Sequence, residues 1–327
     1  MRIINRAGFA GIVAAATALA LAAPAAAQPV WRHGLIKAKA DAGIFMMVTT
    51  RDFAKKQGIK LEFSEFRNDQ IALKALLAGQ LDSFEGGPQG VFSADAHGAD
   101  VRILGCHWVV VPHGIYAKDS VKKAADLKGK TIAVSAPNSM PDMLARFALE
   151  KYGVNPKDVK LAAVGGDHDR YNALVSGVVD AAVVSNEVEP VMPKNLHLLV
   201  AGRDALPNFL RVCMMTSQKV LDRKGKEAAH FLAAEMSALH YALGHKAETV
   251  ALTKKLIHAK PNDPRPEFVF DQAVQHHMVD PTLPLPMNKF EWIENLLVTS
   301  GKLKKKIDPN TVTAPKYREE ALKMSGM

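Results

Sequence analysis

Residues Lys130–Pro190 read KTIAVSAPNSMPDMLARFALEKYGVNPKDVKLAAVGGDHDRYNALVSGVVDAAVVSNEVEP, two strand-to-helix units in succession. Thr131 to Ser135 is short, apolar and β-rich and runs into Ala136, Pro137 and Asn138, which predicts a buried strand ending in a loop. Ser139 and Asp142 have the spacing of a capping box, and Met143, Leu144, Phe147 and Ala148 give the following helix one apolar face. Gly153 closes it. The pattern then repeats: a strand over Val159 to Val164, a loose turn at Gly165 and Gly166, a helix capped by Asp167, and a stop at Gly177. A third strand, Ala181 to Val184, carries Ser185, Asn186 and Glu187 at its tip. Strands alternating with helices predict an α/β fold with a parallel sheet, whose ligands sit outside the carboxyl ends of the strands. The polar residues placed there are Asn138, Ser139, Asp167, His168, Arg170, Ser185, Asn186 and Glu187. Two helix N-termini facing one crevice would each favour a bound anion by about 0.3–1 kcal/mol. Ser139 and Asp167 as simple helix caps is the competing reading.

At 327 residues the chain can build two domains, and 48% apolar with 23% charged content fits a globular protein rather than a disordered or membrane-bundle one. Residues 1–27 stand apart. Arg2 and Arg6 precede an apolar, alanine-rich run to Ala23, Pro24 breaks it, and Ala25 to Ala27 supply an A-x-A cleavage site, the pattern of a secretory signal peptide. Its removal takes two positive charges and lowers the formal net charge from +9 to +7. No basic stripe interleaved with aromatics accompanies that charge, so nucleic acid is not an expected partner, and an anionic ligand or simple solubility is. The lysine run at 302–306 reads as a solvated face. Cys106 and Cys213 each sit in an apolar run, which predicts two buried thiols, with pairing open in an oxidising compartment.

In chain order, a first strand is expected around Leu35 to Lys39 and an amphipathic helix from Asp41 to Lys56, stopped by Gly58. Ile59 to Phe66 alternates as a strand, Ile71 to Leu77 is helical up to Gly79, and a short strand, Leu81 to Phe84, ends in Glu85, Gly86, Gly87 and Pro88. The helix Gln89 to His97 would point its N-terminus at the crevice, with Pro88 at its first position. Val111 to Lys118 leads into the 130–190 region and Phe209 to Ser217 returns from it, the two crossings of a hinged, two-lobed protein. The rest is mostly helical, with long stretches from Val220 to Leu256 and Phe290 to Leu297 separated by prolines.

The segments LKALLAGQLDSFEGG (Leu73–Gly87), ADLKGKTIAVSAPNS (Ala125–Ser139), VGG (Val164–Gly166), ALVSGVVDAAVVSNEVEP (Ala173–Pro190) and GKLKKKIDP (Gly301–Pro309) resemble a family. It is that of the periplasmic substrate-binding proteins of ABC importers, nitrate, sulfonate and taurine type, also similar to thiamine-pyrimidine-precursor binders. The resemblance implies a two-lobed periplasmic binding protein fold with a hinge of two crossing strands: lobe I from residues 28–112 plus 213–327, lobe II from 113–212. It implies ligand contacts from Ile44, Phe45 and Met46, from Gly86 and Gly87, from His113, and from Asn138, Ser139, His168, Arg170 and Asn186. The first helix departs from the family's A-P-x-Y pattern, reading AGIFMMVTT, which makes that wall softer and less polar.

Catalytic signals are thin. Asp167, His168 and Asp169 are consecutive and point in different directions on a helix; His276 and His277 share that defect, and His240 and His245 miss the i, i+4 spacing. No G-x-S-x-G, H-E-x-x-H or Walker motif occurs. A synthase that resembles the family carries a cysteine-rich motif and no export signal; here the signal is present and the motif is not. The expectation is a monomeric periplasmic binding protein without cofactor or metal, holding a small organic anion, sulfonate or carboxylate, and handing it to an inner-membrane ABC permease. Arg170 would supply the fork and the helix ends at Ser139 and Gly87 the remaining polar contacts, with Phe45, Met46 and His113 against the carbon part. A neutral pyrimidine, or an enzyme on the same fold, is the alternative.

Overall fold

The computed structural model describes residues 28–36, 39–66, 68–137 and 139–327; the signal-peptide reading of 1–27 and the site residue Asn138 lie outside them. The chain opens with β1 (Val30–Ile36), followed by α1 (Ala42–Phe45), a 3-10 turn at Met46–Thr49, α2 (Phe53–Lys56), β2 (Lys60–Phe66) and α3 (Asp69–Leu77). Next come β3 (Ser83–Gly86), α4 (Gln89–Asp95), β4 (Val101–Trp108) and β5 (His113–Lys118). The 130–190 region supplies β6 (Thr131–Val134), α5 (Met140–Lys151), β7 (Lys160–Ala163), α6 (Asp167–Val175) and β8 (Ala181–Ser185). The chain continues through β9 (Leu196–Ala201), α7 (Gly202–Ala205) and β10 (Val212–Ser217), then α8 (Gln218–Gly244), α9 (Lys246–Leu256), α10 (Arg265–Gln275), α11 (Met287–Thr299) and α12 (Pro315–Ser325).

Two five-stranded sheets result among the described residues, ordered β2-β1-β3-β10-β4 and β7-β6-β8-β5-β9. Neither is wholly parallel, contrary to the sequence expectation. In the first, β1 pairs parallel with β2 and β3 while β10 runs antiparallel between β3 and β4; in the second, β6 pairs parallel with β7 and β8 while β5 runs antiparallel between β8 and β9. The reversed strands are the two that follow a crossing. Each starts where its neighbours end: Cys213 pairs with Gly86, and His113 with Ser185. A chain that leaves one sheet at the carboxyl ends of its strands arrives at the same side of the other, so its next strand has to run backwards.

The second sheet is buried on both faces. Ile115, Ile132, Val134 and Val183 pack with Leu144 and Leu149 of α5, whereas Tyr116, Ala133, Ala182 and Val184 pack with Leu174 of α6. That two-sided burial explains why its strands read as continuous apolar runs. In the first sheet Trp31 stacks on Phe231 of α8 at 5.3 Å and donates from its indole to Ser83 Oγ at 2.8 Å. α8 is interrupted at Lys224 (φ −133°, ψ 31°), whose amino group reaches Asp82 at 2.9 Å.

Other expectations are shifted or overturned. The first strand lies five residues earlier than expected, at Val30. The Asp41–Lys56 helix is broken, because Arg51 and Asp52 both take positive φ (51° and 58°) between the 3-10 turn and α2. Gly166, not Asp167, is the N-cap of α6, and Pro88 is the N-cap of α4 rather than its first residue. A further helix, α12, follows the one expected to be last and packs on α8. Cys106 and Cys213 are not free thiols. They are register partners on β4 and β10 and form a disulfide.

This bridge spans 107 residues of sequence, including the whole second sheet, and a loop of that length loses much of its freedom in the unfolded chain when closed. The double substitution Cys106→Ser/Cys213→Ser should lower unfolding free energy by about 2–4 kcal/mol. Urea titrations of the wild type with and without reductant should differ in the same direction, while the double variant should be indifferent to reductant.

Candidate functional site

A cavity of about 290 Å³ lies where the carboxyl ends of the parallel strands meet the starts of the reversed ones, between the two sheets. From the first sheet come Leu35 and Ile36 at the end of β1, Glu85, Gly86 and Gly87 at the end of β3, and Arg211 just ahead of β10; His113 opens β5 on the other side. Phe45 and Met46 form an apolar wall, with Met140 and Phe209 opposite the polar groups.

Arg211 is the distinctive residue of this site. Its backbone N–H donates to Trp108 O at 3.1 Å, which ties the approach to β10 onto the end of β4. Its guanidinium lies over the Trp108 ring at 4.3 Å and 5.8 Å from the Phe45 ring centre, and Nη2 donates to Asp41 at 2.6 Å. Nη1 is buried and has no hydrogen-bond partner among the described residues. Packing against two neighbouring rings, whose centres lie 5.2 Å apart, suits a weakly hydrated planar cation, and Arg211 itself lines the cavity. Gln89 Oε1 and His113 Nδ1, both on cavity-lining residues, are likewise buried without a partner.

Polar contacts tie the loop after β1 to the second sheet. Lys39 Nζ meets Asp167 at 2.9 Å, His113 Nε2 lies 3.6 Å from the same carboxylate, and Ala40 N donates to Glu187 at 3.3 Å. Burial acts to raise the Asp167 carboxyl, but His113 first, then Lys39 and Arg170, outweigh it and hold the group far below the usual carboxylate range. Burial pushes His113 down, against the pull of Asp167. Glu187 is pushed up by burial, with Lys39 opposing and Asp41 reinforcing.

Of the residues singled out in the sequence, Phe45, Met46, Gly86, Gly87 and His113 share the cavity wall. Ile44 is 2% exposed and packs in the core of the first sheet. Ser139 caps α5, accepting from Asp142 N at 3.4 Å, and lines a neighbouring groove instead; the Asp142 carboxylate is engaged by Arg146 at 2.9 Å. His168 is exposed on the first turn of α6. Asn186 is buried behind the wall, its N–H bonded to Pro112 O. Arg170 is occupied within its own layer: it donates to Val183 O at 2.6 Å and also bonds Gly165 O and Asp167. Sequence reasoning missed Arg211, Lys39, Asp41, Glu85, Gln89 and Phe209. A signal existed for Arg211, which precedes the returning strand as His113 opens the outgoing one.

Behind Glu85 lies a buried polar group of α8. Glu235 is 3% exposed, and burial together with the nearby Glu85 pushes its carboxyl well above the ordinary value. His107, fully buried, sits 3.3 Å from Glu85, and His33 is pushed down to about 3 by burial and by His107. No group of three or more His, Cys, Asp or Glu side chains among the described residues is arranged to hold a metal ion.

Two α/β layers joined by two reversed strands, with a cavity at the junction, define the periplasmic binding protein fold. Solved structures agree. The aliphatic sulphonate binding protein SsuA of Escherichia coli superposes with a TM-score of 0.70 at 20% identity, over 87% of this chain and 97% of that one. The desulfurization enzyme DSZB gives 0.69 at 14% identity over 90% and 99%, so an enzyme shares the fold. Among curated sequences, a Brucella abortus protein assigned as a binding protein is 26% identical over 284 residues, 85% of this chain and 88% of its own length. The NMT1/THI5-like family profile matches residues 40–249, and the chain belongs to that family.

A carboxyl whose value is raised by folding costs stability as pH rises from its unfolded value toward its folded one. Glu235→Gln, a neutral near-isostere, should therefore be more stable than the wild type at pH 8, with the difference shrinking toward the ordinary glutamate value. Urea midpoints of the two proteins at pH 5 and pH 8 check this.

Proposed function

We propose that the chain is an extracytoplasmic solute-binding protein that delivers a small organic anion, an aliphatic or aromatic sulfonate or carboxylate, to an ABC importer. The observation that carries this reading is the buried, unpartnered Nη1 of Arg211, whose guanidinium packs against Trp108 and Phe45 beside an apolar wall. A planar fork with a free edge matches a carboxylate or sulfonate oxygen, and a buried donor gains the most from being paired. The wall of Phe45, Met46, Met140 and Phe209 suits the carbon part and would be wasted on an inorganic ion. Phe45, Met46, Gly86, Gly87 and His113 remain assigned to the ligand, and Arg211 takes the role first read into Arg170.

Lobe boundaries near residues 112 and 212 are part of this proposal; the division of β1–β4 and β10 from β5–β9 between the two sheets supports them to within a residue, Val212 itself pairing with Trp108 of the first sheet, and the lobes would close on the ligand to present one shape to the permease. Export with cleavage after Ala27 suits the disulfide, and among the described residues no helix is long and apolar enough to cross a membrane. Relatives assigned as binding proteins favour binding over catalysis.

One observation favours a second reading. Arg211 is paired with Asp41 and Lys39 with Asp167, while Glu85 at the cavity end offers carboxylate oxygens to a ligand bearing N–H groups, as an aminopyrimidine does. A thermal-shift panel of alkyl sulfonates, aliphatic and aromatic acids, nitrate and pyrimidines separates the two. Acids or sulfonates should raise the melting temperature by several degrees at saturating concentration. Arg211→Gln should weaken their binding at least about tenfold, roughly 1.4 kcal/mol, whereas Arg170→Gln should act on stability. A response to pyrimidines alone, unchanged in Arg211→Gln, overturns the anion reading.

A further inference from the structure

The cavity at Arg211 does not end at its own wall. A second, larger space of about 970 Å³ adjoins it, and Asp69, Gly87, Gln89, Met140 and Phe209 line both. It runs between α3, α4, the start of α5 and α11, and its walls are mostly hydrocarbon: Leu73 and Leu77 on one side, Met143 and Leu296 on the other, with Phe84 between. Leu77 is 49% exposed, a large apolar side chain left facing solvent beside the candidate site. Charged groups in this groove, Lys74 and Lys302 among them, contrast with the apolar strip along those walls.

Where the two spaces adjoin, Gln89 holds a buried, unpartnered Oε1. Gly87 beside it has no side chain, and a Cβ there would run into the Gln89 amide. A glycine at this point leaves Gln89 the room it occupies, and any larger residue would displace that amide.

We infer that the ligand is an amphiphile: its anionic head lies at Arg211 and its long apolar tail passes Gln89 and Phe209 into the groove bounded by Leu73, Leu77, Met143 and Leu296. This deepens the organic-anion reading and rests on it. Continuity through five shared residues selects the ligand's own tail as the occupant rather than a separate partner. Each methylene moved from water onto the groove walls should tighten binding about fourfold. Short acids can use the first cavity only.

The test is calorimetric titration of the full mature protein with straight-chain carboxylates from acetate to dodecanoate and the matching alkanesulfonates, each below its self-association concentration. Affinity should climb by about fourfold per methylene over the middle of each series and then level off when the groove is full. Leu296→Trp, which fills the groove away from the first cavity, should abolish that climb and leave the affinity for the shortest binders within twofold. Equal affinity for short and long chains in the wild type overturns the tail proposal and leaves the anion reading intact. Binding of no acid or sulfonate at any length overturns both. Should Leu296→Trp fail to fold, the wild-type series decides the question alone.

Discussion

The architecture depends on one constraint of strand direction. Each sheet is built from strands running the same way plus a single reversed strand, and in both sheets that strand lies fourth in the order. Reversal places the beginning of β5 and of β10 beside the carboxyl ends of their neighbours. Side chains at those beginnings, His113 and Arg211, therefore enter the region where parallel sheets collect ligands. The disulfide fastens β10 to β4 two residues beyond Arg211, so the strand that carries the guanidinium is pinned on the side away from β3. The crossings between the sheets and the cavity wall thus share the same few residues.

Electrostatics at the junction differ from what the whole chain suggests. The chain is basic, yet around the cavity the two full cations, Lys39 and Arg211, each already hold a carboxylate, while Glu65, Asp69 and Glu85 add further acid. What recommends Arg211 is therefore geometry rather than surplus charge: a guanidinium fixed by two rings and one carboxylate, with a buried edge still to be paired. Net charge describes the surface; a single preorganised donor describes the site. Behind Glu85 lie His107, 3.3 Å away, and Glu235, whose carboxyl is pushed up by burial and by Glu85 itself.

The repeated strand-to-helix pattern over 130–190 was legible because three signals agree there: apolar runs of strand length, caps, and glycines at positive φ. Gly79, Gly153 and Gly177 all take φ between 72° and 80°, as helix-ending residues should. Local signals ended where long-range pairing decides. The direction of β5 and β10 depends on which side of a sheet the chain arrives from, and no window of neighbouring residues records that. The break at Arg51 and Asp52 is also invisible to an apolar count, since Phe45, Val48 and Phe53 keep helical spacing across it. Cys106 and Cys213 lie 107 residues apart, and only the register of β4 against β10 brings them together. At the site, Phe45, Met46, Gly86, Gly87 and His113 were recognisable because they sit at element ends that a known architecture aims inward. Arg211 stands in the apolar run FLRVC, where it reads as part of a strand and not as a ligand group.

The two arginines differ in what already holds them. Arg170 lies one turn after Asp167 on α6, and its guanidinium reaches the carbonyls of Val183 on β8 and Gly165 in the preceding loop. Those bonds fasten α6 to β8 beside Asp167, which Lys39 meets across the junction and His113 approaches from β5 of the same layer. Removing Arg170's bonds would release the Asp167 side of that contact. Two residues beyond Lys39, Asp41 takes one edge of Arg211. The segment after β1 therefore touches the second sheet through Lys39 and the ligand-facing arginine through Asp41, within a span too short to move one without the other. An anion drawn to the free edge of Arg211 joins Asp41 on the same guanidinium, and any rearrangement that follows is transmitted to the Lys39 contact. By this chain of bonds, the guanidinium at the cavity and the Lys39 contact between the two layers are linked through three residues of one segment.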